Sequence, residues 1–269
     1  DIMFFNALNY EIDLSLSPIL EILTAYITLY LKYKNKVNRD DIRSICREVN
    51  PDATVQHQFT QAAAITAKHA HVVLFDSKSM KSVLEPINLG PYELVLLALP
   101  NDVQLPASLI EKRRDEAGEA LAAIQKHHPI QYLCDAQFKD MVYLDDELLS
   151  NRAMHCIAEN IKVEEALNVL RENYIEHLGK LFTTSHKSIL KDCEMKSEMH
   201  DQLVEESILI DGCIGAKMVQ INGYLYVLAM VHGEAIEAFK AAVSDRFYKQ
   251  TNLRILPHSL KISDGVKRV

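Results

Sequence analysis

The stretch SHKSILKDCEMKSEMHDQLVEES, Ser185 to Ser207, decides how the rest of the chain is read. It sits between two predicted helices, one over about Tyr174–Thr183 and one over Ser197–Glu206. It opens on a Ser-His pair, passes a Ser-aliphatic pair at Ser188-Ile189 and an acidic element at Asp192 and Glu194, and enters Asp201-x-Leu203-Val204-Glu205. Ser185 and His186 look like a nucleophile beside its base. A triad is defined by geometry and roles, and no third group is suggested here. The preferred reading of the pair is structural.

Upstream of this stretch, Asp145 to Leu170 repeats apolar residues at helical spacing through Leu148, Leu149, Met154, Ile157, Ile161 and Leu167. His155 and Glu159 lie one turn apart on it and can pair on one face. Ser108 is expected to cap a helix running to about His127. Ser17-Pro18 predicts a helix to about Lys34, Asn38 with Asp41 a second one to Asn50-Pro51, and Gln58–Lys68 a third. Strands are expected over residues 71–75, 81–89 and 92–99, the last nearly continuous and apolar. Residues 217–221 and 224–230 read as a hairpin across Asn222-Gly223, followed by a helix over 234–249. Two short strands, Arg254–Leu256 and Ser259–Ile262, are expected to flank Pro257. Interleaved helices and hairpins indicate an α+β protein of layered sheets, with Gly90-Pro91 as the boundary between two parts.

The chain has 269 residues, 48% of them apolar and 25% charged, enough for a real core. Its net charge of −8 argues against a nucleic-acid surface. The basic run Lys32 to Lys36 reads as a solvated helix end. Five cysteines, with no CxxC pair, suggest reduced thiols in a cytoplasmic protein. No stretch is long and apolar enough to span a membrane, and no signal peptide is visible. No metal site is expected.

Several segments, taken in order, resemble the galactokinase branch of the GHMP kinase superfamily over roughly residues 14 to 269. The Ser185–Ser207 stretch is one. Arg152-Ala-Met-His155-Cys-Ile-Ala-Glu159-Asn160 resembles the family's Arg-x-x-His-x-x-x-Glu-Asn helix. Arg113-Arg114-Asp115-Glu116 resembles its Arg-Arg-x-Glu helix start, Gly215-Ala216-Lys217-Met218 the Gly-Ala-Arg-Met that opens its third motif, and Ser263-Asp264-Gly265-Val266 its closing strand. The resemblance implies a GHMP-kinase-like two-domain fold, with mixed or antiparallel sheets layered against helices. It implies an incomplete N-terminal domain over residues 1–90 and a C-terminal domain over 91–269, whose last strand, about 254–269, returns to the N-terminal domain.

The resemblance fails where a sugar kinase does its chemistry. Such an enzyme must cradle the ATP phosphates, position the sugar hydroxyl and stabilise the transferring phosphoryl. The family's Gly-Leu-Ser-Ser-Ser-Ala loop corresponds to Asp13-Leu14-Ser15-Leu16-Ser17-Pro18, where a carboxylate replaces the leading glycine and only Ser15 and Ser17 remain. Thr60-Gln61 falls on the Asp-Gln of the family's base motif. A threonine cannot accept a proton at neutral pH, and His57, three residues earlier, is a displaced substitute at best. The glycine-rich third motif corresponds to Met218-Val-Gln-Ile-Asn-Gly223-Tyr-Leu225, leaving Gly215, Lys217, Met218 and Gly223 as its remnant. The tyrosine that galactokinases place on the sugar corresponds to Ile110. The family's opening motif, with Gly-Glu-His-Thr-Asp and a transition-state Arg, is not in the sequence.

The expectation is a galactokinase-like protein without kinase activity, kept as a binding or regulatory module, with no cofactor. A hexose or nucleotide ligand, a regulatory protein partner or a homodimer would fit it. One alternative is a divergent sugar kinase using ATP and magnesium; another is a protein-interaction scaffold with no ligand.

Overall fold

The computed structural model describes residues 17–34, 36–100, 103–221 and 223–267. Its chain contacts divide into two units, residues 1–88 with 261–269, and residues 89–260.

The first unit contains α1 (Ser17–Tyr33), α2 (Arg39–Val49), α3 (Val55–Thr66), β1 (His71–Asp76) and β2 (Lys81–Pro86). Asn38 caps α2 by accepting from Asp40 N–H, and Thr54 caps α3 by accepting from His57 N–H, so each helix starts where a side chain replaces a missing intrahelical partner. Ile22, Ala25, Leu29, Ile42, Cys46 and Ile65 form the core between the helices. β1 and β2 pair antiparallel, from His71 opposite Pro86 to Asp76 opposite Lys81. The Asp76 carboxylate closes the turn by accepting from Lys78 N–H at 2.9 Å and Ser79 Oγ at 2.6 Å. The segment beyond Leu260 packs on α3: Val266 N–H donates to Ala64 O and Gly265 N–H to Ala67 O, both at 2.8 Å.

The second unit is built on an antiparallel sheet in the order β4 (Cys213–Ile221), β5 (Tyr224–His232), β3 (Tyr92–Ala98), β6 (Leu256–Leu260). α7 (Glu198–Ile208) and α8 (Ile236–Thr251) share a core with it. Alternate residues Val95, Leu97, Val227, Ala229 and Val231 meet Leu203, Val204, Phe239, Val243 and Phe247 there, as period-two strands under an amphipathic helix pair should. α6 (Ile175–Lys191) also packs on β4. Beyond it lie α5 (Glu147–Arg171) and α4 (Ala107–Gln125), whose own core holds Ala120, Ile124, Ala153 and Ile157 under 3₁₀ turns at Leu133–Asp135 and Phe138–Tyr143.

Several expectations need correction. α4 starts at Ala107 behind Pro106, with no side-chain cap; Ser108 is already inside the helix. α6 runs on to Lys191, because Thr183 and Thr184 return their hydroxyls to Gly179 O and Lys180 O in the same helix instead of breaking it. Pro257 does not split two strands. It sits within β6, opposite Leu97, which is allowed because β6 is an edge strand and its missing N–H leaves no gap in the ladder. β6 belongs to the second unit, so the return to the first unit is made by the non-strand segment after it. The 3₁₀ turns had no sequence expectation.

Candidate functional site

The segments singled out in the sequence meet along α5 and α6. Arg152, only 2% exposed, donates from Nε to Glu116 at 2.6 Å, from Nη2 to Glu194 at 2.9 Å and from Nη1 to the Asp192 carbonyl at 2.6 Å. Arg113 clasps the same Glu116 at 2.8 and 2.9 Å and reaches Glu194 at 3.2 Å. Burial would raise the Glu116 carboxyl, but hydrogen bonds from Arg152 and Arg113 outweigh it and hold the acid below its usual range. Two arginines and two glutamates thus tie α4, α5 and the α6–α7 connection together.

One turn further along α5 the seam with α6 is polar. His155 Nδ1 meets Ser188 Oγ at 2.9 Å, and Ser188 donates to Asp192 at 2.8 Å. Ser185 donates to Glu159 at 2.6 Å and accepts from Lys217 of β4 at 2.7 Å, while Lys162 holds the other Glu159 oxygen at 2.8 Å. Burial lowers the Lys217 ammonium's affinity for its proton, against the pull of Glu159. Both serines are buried and already give their protons to carboxylates. No open nucleophile results.

His186, although next to Ser185, joins a different group. Met218 N–H points at its Nδ1 at 3.4 Å, and its Nε2 stands 3.9 Å from Asp201 Oδ1, each of these last two atoms buried without a hydrogen bond. Burial, with the nearby Lys217 charge, pushes the imidazole down to about 4, so it is neutral at pH 7. Burial raises the Asp201 carboxyl.

The third-motif remnant is a regular hairpin. Gln220 pairs with Leu225 and Ile221 with Tyr224. Gly223 takes φ +92° in the turn, a conformation that favours glycine; Asn222 lies outside the described residues. Met218 is buried with Leu105 and Leu225, and Ile110 packs against that cluster. Gly215 approaches Gly179 of α6 so closely that a side chain at either would strike the other segment's backbone. β4 is an edge strand: one side of its backbone pairs with β5, and on the other side the Met218 N–H is turned to His186, so the segment is a paired ladder and not a glycine loop.

In the first unit, Thr60 is half-buried on α3. His57 Nε2 lies 3.0 Å from Glu21 Oε2, and Gln61 donates its amide to that same oxygen. Glu21 is a residue the sequence does not single out as part of a site. An acid at this depth on α1 gives no sign in the sequence of the histidine it will meet. Ser15 lies outside the described residues; Ser17 opens α1, and its side chain is not among those described. Among the described residues no group of three or more His, Cys, Asp and Glu side chains is placed to hold a metal ion, and no helix is long and apolar enough to cross a membrane.

No protein-family model matches the chain. It is similar to the galactokinase of Clostridium tetani, with 26% identity over all of this chain and 70% of that protein. It is also similar to that of Thermotoga maritima, at 27% over 95% of this chain and 72% of the relative. The galactokinase of Exiguobacterium sibiricum is 28% identical, but the match covers 73% of this chain and 51% of that one. Among solved structures, Lactococcus lactis galactokinase complexed with galactose superposes with a TM-score of 0.83 at 22% identity, covering 97% of this chain and 69% of the other. Homoserine kinase from Cytophaga hutchinsonii gives 0.61 at 12% identity. The fold is that of the GHMP kinases. In sequence its similarity is to galactokinases, over its whole length in the Clostridium relative.

Proposed function

We propose that this chain is a galactokinase-like protein that has lost sugar phosphorylation and serves as a binding or regulatory module. The observation that carries the reading is the replacement of the glycine-rich third motif by a closed hairpin, with Gln220 opposite Leu225 and Ile221 opposite Tyr224. A phosphate binds where backbone N–H groups are free to turn toward it. Two further losses support the reading: threonine at the base position, Thr60, and an apolar, packed Ile110 where the family has its sugar-contacting tyrosine. A hexose is the ligand class suggested by the galactose-bound Lactococcus relative. Reduced, unpaired cysteines fit a cytoplasmic setting.

A second reading, a divergent ATP-dependent sugar kinase, has one observation in its favour. His57 is oriented by Glu21 at 3.0 Å, as a displaced general base would need to be. Thermal melting with Mg-ATP and with a panel of hexoses separates the two, because a ligand of the folded state raises the midpoint by mass action. A shift with a hexose and none with Mg-ATP is expected. ATP-dependent phosphorylation of a hexose by the unaltered chain would overturn the proposal.

A further inference from the structure

The first unit has a recess that shares only Gln61 with the kinase motifs. Arg43 and Arg47 of α2, Gln58, Gln61, Ala62 and Ile65 of α3, and Phe75 and Met80 line it. Thr60 lies about 200° round α3 from Gln58 and Ala62, so the recess opens off a different face of the helix from the base position. We propose that this recess binds a small oxyanion, the carboxylate or phosphoryl end of a metabolite.

Four side chains carrying N–H donors line it, and no carboxylate does. The Arg43 guanidinium is fixed in place, with Nη1 on Asp40 and Nη2 on the Thr66 hydroxyl. Arg47, one turn on, brings a second guanidinium, which has no ion-pair partner among the described residues. Gln58 is anchored through Ala53 O and Gln61 through Glu21, so the amides are held and not free to wander. Paired guanidinium forks match the planar oxygens of carboxylate and phosphoryl groups. The apolar floor of Ala62, Ile65, Phe75 and Met80 excludes water from one side and strengthens such contacts. A volume of about 30 Å³ admits the oxygens of one such group, with the rest of the molecule projecting outward. Asp40, bonded to Arg43, and Glu21, bonded to Gln61, oppose an anion; both carboxylates are already engaged by donors, which leaves Arg47 as the uncompensated charge.

Thermal melting in sodium phosphate and in sodium acetate, against sodium chloride of equal ionic strength, tests this on the full chain. A saturable rise with phosphate identifies a phosphoryl ligand, and one with acetate a carboxylate ligand. Exposed Arg47→Gln should weaken the binding about tenfold, the loss of one charge-assisted contact, while the remote exposed Arg114→Gln leaves it unchanged. The general salting effect of phosphate does not saturate and is the same in all three proteins. No saturable rise in the unaltered chain, or an undiminished one in Arg47→Gln, would overturn the proposal.

Discussion

Gly179 on α6 and Gly215 on β4 touch backbone to backbone: a Cβ on Gly215 would overlap the Gly179 carbonyl, and one on Gly179 would strike Ile214. The glycine that reads in sequence as a remnant of a phosphate-binding motif is also the point where helix and strand close. Gly215→Ala should therefore destabilise the second unit by about 3 kcal/mol, as overpacking does. Gly118 in α4 has open space around its Cα, so Gly118→Ala should stabilise by about 0.5–1 kcal/mol through helix propensity. Urea unfolding of both variants checks the pair, and equal effects would mean the close approach is relieved elsewhere.

The arginine node makes a second prediction. Arg152 is buried against Glu116 and Glu194, so Arg152→Met removes a charge that faces both acids. Arg113 keeps its contacts to both acids, so a loss of about 3 kcal/mol is expected, the lower end of what removing one partner of a buried ion pair costs. Lys249→Met breaks an exposed pair with Asp245 and should change stability by less than about 1 kcal/mol. Urea midpoints for the two variants measure the contrast.

The pH dependence follows from His186. Its folded value is about 4, against an ordinary 6.5, so between these limits the unfolded chain binds the extra proton and the folded chain does not. Stability therefore rises with pH through this window and is lost as pH falls from about 6.5 toward 4. The half-buried His155 and the buried His200 are shifted in the same direction, each chiefly by burial. His186→Asn should flatten the stability curve between pH 6.5 and 4, by an amount on the order of 3 kcal/mol at the acid end. A slope unchanged in the variant would assign the effect to the other histidines.

Much of the architecture was legible because it rests on local signals. Asn38 caps α2, the apolar run of β3 becomes a central strand, and Asn222-Gly223 announces the hairpin that Ile221 and Tyr224 close. The errors arise where distant context overrides a local signal. Pro257 looked like a break until β6 proved to be an edge strand, and Thr183 and Thr184 looked like a helix end until α6 took up their hydroxyls. The site was legible only as a series of motifs. That Ser185 meets Lys217 across 32 residues, while its neighbour His186 turns toward Asp201, follows from helix phase and strand register, which spacing along the chain does not supply.

The last prediction concerns chemistry. If phosphoryl transfer failed only for want of a base, Thr60→Asp would restore it, because a carboxylate at that position is what the family uses. The hairpin and Ile110 argue otherwise. β4 and β5 form a paired ladder up to Ile221 and Tyr224 where the family has a glycine loop, and Ile110 packs against the cluster of Leu105, Met218 and Leu225, where it offers no hydroxyl. A base accelerates a reaction only when nucleophile and phosphoryl are already aligned, and neither of these features aligns them. Thr60→Asp should therefore show no hexose-dependent consumption of ATP above the unaltered chain, while His57→Ala leaves that background unchanged. Turnover in Thr60→Asp would show that the phosphate and sugar subsites survive without the glycine loop; turnover in the unaltered chain that His57→Ala abolishes would make His57, steered by Glu21, the base.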